Sequence, residues 1–282
     1  MSNFKFGGLP VPGSGIVLPQ LDLNDRLIWR IKSFSPRLAT TIETVRQNWR
    51  GESSRLAGDR SPLTLEIGFQ FDEAAAARVL ALDQAKFSQS GEQWLQINAT
   101  QRVLVEYVNI APAVERRGLG TKLYGGMLTF LARKGYAEDI AASSLSAVAL
   151  AGSTGAGTNT NFNLAYAGSV RTRPVWTLDI PNTNLVTITS FKLQNTLSLE
   201  VLTLNFSPAL AASTHWVLTI DTDAYKIRDA ALTNYDPVGS FPKLYPPAGT
   251  TNTFTATVVT GSGTSTGVTL SAAYTNRWEV QA

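Results

Sequence analysis

The sequence predicts a mainly β protein of two domains: a mixed β domain carrying one helix, followed by an antiparallel β-sandwich. Three observations lead there. Apolar residues recur at every second position in one stretch after another, the period that sets one row of side chains against a core and the other toward solvent. A run without a single charge, residues 141–163, separates the halves. The halves also differ in composition, with 17 basic and 14 acidic side chains in residues 1–140 against 7 of each in residues 141–282.

After a Gly/Pro-rich opening, residues 26–34 alternate, with Leu27, Trp29 and Ile31 on one side and Arg30 and Lys32 on the other. That is a half-buried strand, and residues 40–49 read as its partner. Leu63, Leu65, Ile67, Phe69 and Phe71 form the cleanest alternation in the chain. Asp72 then caps a helix over residues 72–87, in which Ala75, Val79 and Leu82 share one face. Residues 94–97 and 103–110 read as a hairpin about a turn at 98–101, with Val103, Val105 and Tyr107 on one face. Residues 123–132 predict another strand.

The chargeless run of Ala, Ser, Gly, Thr and Asn reads as a flexible connection, placing the domains at 1–140 and 168–282 with a linker at 141–167. The second domain opens on a strand, Val175 to Ile180, where Trp176, Leu178 and Ile180 alternate with Val175, Thr177 and Asp179. Pro174 suits the start of that strand, where a missing N–H costs least. Further strands are predicted at 185–189, 197–206, 216–220, 254–259, 268–274 and 278–280, a spacing typical of an antiparallel sandwich. The last of them is free to close the sandwich or to return to the first domain.

A chain of 282 residues that is 44% hydrophobic can bury sizeable cores. With no cysteine it has no disulfide, thiolate metal site or cysteine nucleophile. An excess of only +3 charges, thinly spread, argues against nucleic-acid recognition, which wants a concentrated basic face. No stretch approaches the roughly 20 apolar residues of a membrane helix, so no membrane insertion is expected. The opening lacks a charged-then-apolar leader, and the expectation is synthesis in a cytoplasm.

Candidate chemistry is sparse. Glu115-Arg-Arg-Gly-Leu-Gly120 looks like the pyrophosphate loop of GNAT acetyltransferases, whose Gly-x-Gly amides cradle phosphate at a helix start. Glu115 puts a negative charge where that loop wants Gln or Arg, and the helix that should follow would hold Gly125 and Gly126 in its interior. His215, the single histidine, stands at the mouth of a strand; any Ser-His-Asp or histidine-metal scheme depends on it alone. Asp221 and Asp223 read as a turn after Ile220 rather than a calcium pair. A glycosidase needs only two carboxylates in a cleft, which sequence cannot place. The expectation is no catalytic residue, no cofactor and no metal.

Taken in order, the opening Phe4-Lys-Phe6-Gly7, Arg60-Ser-Pro-Leu-Thr-Leu65, the helix, the hairpin, residues 127–139, the stretch from Gly168 to Ile180, Leu218-Thr-Ile-Asp-Thr222 and Leu244-Tyr-Pro-Pro-Ala-Gly249 resemble the distal tail (Dit) proteins of long-tailed bacteriophages. The resemblance spans nearly the whole chain and no one motif carries it. It implies a galectin-like carboxy-terminal sandwich and a non-enzymatic, homo-hexameric ring in the virion tail. Its implied partners are the tail tube protein, the tail tip hub protein, the tape measure and the receptor-binding proteins. Some relatives carry an inserted carbohydrate-binding module, which the connections here are too short to hold. The alternative is another tail-tip or carbohydrate-binding sandwich. A closed ring needs two different surfaces on each subunit, and the charged first domain suits them. Within it Arg46, Trp49, Arg50, Arg55 and Arg60 cluster about one loop, residue types that often anchor interfaces.

Overall fold

The computed structural model describes residues 4–6, 21–22, 30–38, 63–72, 91–117, 121–246 and 251–280. The chain divides into two compact units, Met1–Ile140 with Trp278–Ala282, and Ala141–Arg277. Every regular element among the described residues is a strand.

Unit 1 contains β1 (Lys5–Phe6), β2 (Leu21–Asp22), β3 (Arg30–Leu38), β4 (Leu63–Asp72), β5 (Glu92–Gln96), β6 (Gln101–Arg117), β7 (Thr121–Ala132) and β8 (Ala137–Asp139). Its sheet runs β2-β1-β5-β6-β7-β4-β3, with β8 on β6. Alternation fixes the register because a one-residue slip would turn a whole apolar row to solvent. Phe6 therefore lies opposite Leu95 and Leu95 opposite Val103. Likewise Leu65 lies opposite Phe130 and Phe130 opposite Tyr107. These residues form one core, in which Phe6 stacks on Phe130 at 5.5 Å. Trp278, from β20 (Arg277–Trp278), packs against the same core and donates from Nε1 to Asp139 at 2.7 Å. The predicted hairpin turn is closed by Asn98, whose Oδ1 accepts from the amides of Thr100 (2.9 Å) and Gln101 (2.8 Å). The helix expected over residues 72–87 lies outside the described residues except for Asp72, which ends β4. Residues 40–49, expected to partner the first strand, lie outside them as well. The partner the structure shows is β4, with Phe34 opposite Ile67 and Pro36 opposite Leu65. Among the described residues β3 pairs on one edge only, the setting in which a strand proline such as Pro36 is tolerated.

Unit 2 contains β9 (Ser143–Ala149), β10 (Gly152–Ser153), β11 (Thr158–Leu164), β12 (Val175–Ile180), β13 (Ile188–Asn195), β14 (Val201–Leu210), β15 (Trp216–Asp221), β16 (Lys226–Arg228), β17 (Val238–Gly239), β18 (Asn252–Thr260) and β19 (Thr269–Tyr274). One sheet runs β16-β15-β12-β19-β9; the other runs β10-β18-β13-β14-β17, with β11 also on β18. All these pairs are antiparallel except β10 with β18. Trp176 lies opposite Ile220 and Ala272, and Leu178 opposite Leu218 and Leu270. Facing them from the other sheet come Phe191, Leu193, Leu202, Leu204 and Phe254, so both sheets share one buried core. Trp176 sits at its centre, edge-on to Phe254 at 4.9 Å and to Phe162 at 6.1 Å.

The structure departs from the sequence reading at the expected connection: β9, β10 and β11 occupy most of residues 141–167. Composition misleads there because an edge strand needs only one inward row, and β11 supplies it with Phe162 and Leu164 while Asn159, Asn161 and Asn163 face water.

Candidate functional site

Three clusters in unit 2 gather groups capable of chemistry, and in each the geometry serves structure. His215 precedes β15, and its Nε2 is 2.8 Å from Asp179 Oδ1 on the outward row of β12. Both side chains are more than two-fifths exposed. Among the described residues no hydroxyl hydrogen-bonds to the other ring nitrogen.

Asp221 closes the turn after β15, accepting from the amides of Asp223 (3.0 Å) and Ala224 (2.9 Å) at Oδ1. Its carboxylate is thereby committed to a turn, as the spacing predicts. Asp223 lies between two buried guanidinium groups, 3.8 Å from Arg173 and 3.6 Å from Arg277. Arg173 also covers the Tyr225 ring at 4.9 Å. No group of three His, Cys, Asp or Glu among the described residues could hold a metal ion.

Glu200, on the turn entering β14, collects donors from the proline-stiffened segment that follows β17. Its carboxylate accepts from the Lys243 amide (3.0 Å), Lys243 Nζ (3.1 Å) and the Tyr245 hydroxyl (3.1 Å). Burial alone would raise the Glu200 carboxyl; the Lys243 and Tyr245 donors outweigh it and hold the carboxyl below its ordinary range. Burial, helped by the Glu200 charge, pushes the Tyr245 hydroxyl up. Asn195 adds a bond from Nδ2 to the Lys243 carbonyl at 2.6 Å, and Asn252 exchanges two bonds with the Tyr245 backbone. The cluster fastens a loop to a sheet.

The acetyltransferase reading fails on topology. A phosphate loop requires a helix after its glycines, whereas the residues from Thr121 to Ala132 form β7, paired to β6 with Glu115 opposite Leu123. Gly125 and Gly126, which would weaken a helix, lie within this strand opposite Ala113 and Pro112.

No known family profile matches the chain, and no curated protein matches it. Among solved structures, the crystal structure of the Dit protein (gp 19.1) of phage SPP1, described as a paradigm of the hub adsorption apparatus in phages infecting Gram-positive hosts, is similar over 98% of this chain and 99% of that one. The identity is 10% and the TM-score 0.58. This chain has the fold of that Dit protein. The baseplate of phage P2 in its activated conformation with Ca is matched over 97% of this chain and 98% of that one, at 9% identity and a TM-score of 0.40, too distant a likeness to support an argument.

Arg46, Trp49, Arg50, Arg55 and Arg60 lie outside the described residues, so their grouping rests on sequence. Two features escaped sequence reading. Buried Asn184 ties three loops at one end of the sandwich: its amide donates to the Pro181 carbonyl, its carbonyl accepts from the Ser213 amide at 2.8 Å, and its Oδ1 accepts from the Thr266 amide at 3.2 Å. Nothing in the sequence separates it from any other loop asparagine. The second is a side-chain ladder between β11 and β18, in which Thr253, Thr255 and Thr257 donate to Oδ1 of Asn163 (2.9 Å), Asn161 (2.7 Å) and Asn159 (2.6 Å). Here a signal was present, the strict Asn alternation at 159, 161 and 163.

Proposed function

We propose that this chain is a non-enzymatic structural protein of a phage tail, forming a hexameric ring at the distal end of the tail tube and joining the tube to the tip hub. The observation carrying this reading is the likeness in fold to the SPP1 Dit protein, which extends across both units and leaves almost none of either chain unmatched. On this reading unit 2 is a galectin-like sandwich, and each unit is a domain with its own core. The ring places the protein in the virion, beside the tail tube and hub proteins, with the tape measure and receptor-binding proteins as further neighbours. Closing a ring adds interfacial burial to a chain without disulfides.

Ring closure is assigned to residues 1–140, where charge and arginine concentrate, with Arg46, Trp49, Arg50, Arg55 and Arg60 contributing contacts. Electron microscopy of the purified chain tests the reading: rings are expected, and a strict monomer at high concentration counts decisively against it. Replacing Trp49 and Arg50 together by alanine is expected to weaken the ring while leaving the circular dichroism of the chain unchanged. Rings of undiminished stability would move the contacts elsewhere in unit 1.

A further inference from the structure

The four edges of the sandwich are not alike. On one side they are β16 and β17; the first has three residues of which two are cations, Lys226 and Arg228, and the second has two residues. Short and charged edges are the usual protection against pairing with another chain. On the other side are β9 and β11, seven residues each, with no charge and no proline. They lie on the same side because only Leu150 and Ala151 separate β9 from β10, which pairs with β18 beside β11. β11 follows β18 through all seven residues without a bulge. Among the described residues nothing pairs with its outer edge.

The strand is also its own complement. Its span, 158–164, is centred on Asn161, and its exposed asparagines, 159, 161 and 163, are symmetric about the same residue. The ladder threonines hold each Asn by its Oδ1, and the Nδ2 groups have no acceptor among the described residues. We propose that β11 is a contact through which two copies of this chain pair, antiparallel, about a two-fold axis at Asn161. In that register Asn159 faces Asn163 of the second copy, the full strand overlaps, and inward rows stay inward; a shift by one residue would turn the second sandwich over. Such a contact is isologous, the same patch on both partners. The uncharged edge of β9 on that side brings no repulsion against its mate. A strand from a different protein would gain nothing from the symmetry about Asn161. The contact is distinct from ring closure by residues 1–140, and either can fail without the other.

The chain has no cysteine, so single cysteines report position cleanly. Directly opposed residues of an antiparallel pair have Cα atoms about 4.5–5.5 Å apart, within disulfide reach. Under mild oxidation Asn161→Cys is expected to convert to a covalent dimer on a non-reducing gel, whether or not rings form. Asn159→Cys, whose mate would be Asn163, and Asn205→Cys, exposed on β14, are expected to stay uncoupled. Asn161→Lys is expected to abolish the pairing, seen by sedimentation, while the circular dichroism of the chain stays that of the parent. Failure of Asn161→Cys to couple overturns the proposal, and so does coupling of all three cysteines at one rate, which reports collision rather than register.

Discussion

Unit 2 closes its core between two sheets, whereas unit 1 gathers its larger described core on one face of a single sheet and buries the pair Trp94 and Leu104 on the other. The contrast extends to how charge is used. In unit 2, charges are few and several are inward ties: Glu200 with Lys243, and Arg173 and Arg277 with Asp223. Among the described residues of unit 1, Arg133 and Glu106 pair nearer solvent, Arg102 lies over the Trp94 ring at 4.1 Å, and Asp139 accepts from Trp278.

The sharpest way to break this comparison is to damage each core separately. Trp176→Ala removes the centre of the unit 2 core and Phe130→Ala the ring on which Phe6 stacks in unit 1. Each should cost about 3–5 kcal/mol. If the units are domains, calorimetry should show each variant lowering one transition and leaving the other in place. A single transition lowered equally by both variants would mean that the two cores melt as one.

Acid offers a subtler test. The Glu200 carboxyl titrates lower in the folded chain than its ordinary 4.5, through the Lys243 and Tyr245 donors that override burial. A depressed carboxyl stabilises fully above the unfolded value, and the contribution disappears as pH falls from 4.5 through the lower folded value. The unit 2 transition should therefore fall with acidification in that window. Glu200→Gln should lower it by roughly 1.5–3 kcal/mol near neutrality, the worth of hydrogen bonds to a charged group, and flatten its acid dependence. An unchanged slope in the variant would assign the acid sensitivity to another group.

How much of this was visible in the sequence follows from what a period of two can and cannot report. It located β4, β12, β15, β18 and β19 within a residue or two, because their described side chains, such as Leu65 and Ile67 or Trp176 and Leu178, go inward at alternate positions. It misplaced the start of β13, expected at residue 185, because Leu185 and Val186 have strand composition but belong to the loop held by Asn184; Leu185 is 76% exposed. It likewise started β14 at 197, where the structure has a turn with Leu199 at φ 60° and the strand begins at Val201. Local composition cannot reveal a buried amide whose partners lie far along the chain. For the same reason the Glu200 cluster was invisible: its donors are some 43 residues away.

The smallest effect sets like against like. Glu106 and Arg133 form unit 1's counterpart of Glu200 and Lys243, with Nε at 3.0 Å and Nη2 at 2.7 Å from one carboxylate oxygen. Distance alone would rank this pair above the 3.1 Å contact in unit 2. Exposure reverses the ranking: the side chains of Arg133 and Glu106 are 34% and 38% exposed, those of Lys243 and Glu200 only 19% and 16%. Water and salt screen the first pair, and ion pairs of that kind contribute about 0–1 kcal/mol. Glu106→Gln should therefore shift the unit 1 transition by less than Glu200→Gln shifts that of unit 2, and 1 M salt, which shortens the screening length to about 3 Å, should erase most of the difference between Glu106→Gln and the parent chain. A larger, salt-resistant loss at Glu106 would mean that this carboxylate is less open to water than its 38% exposure indicates.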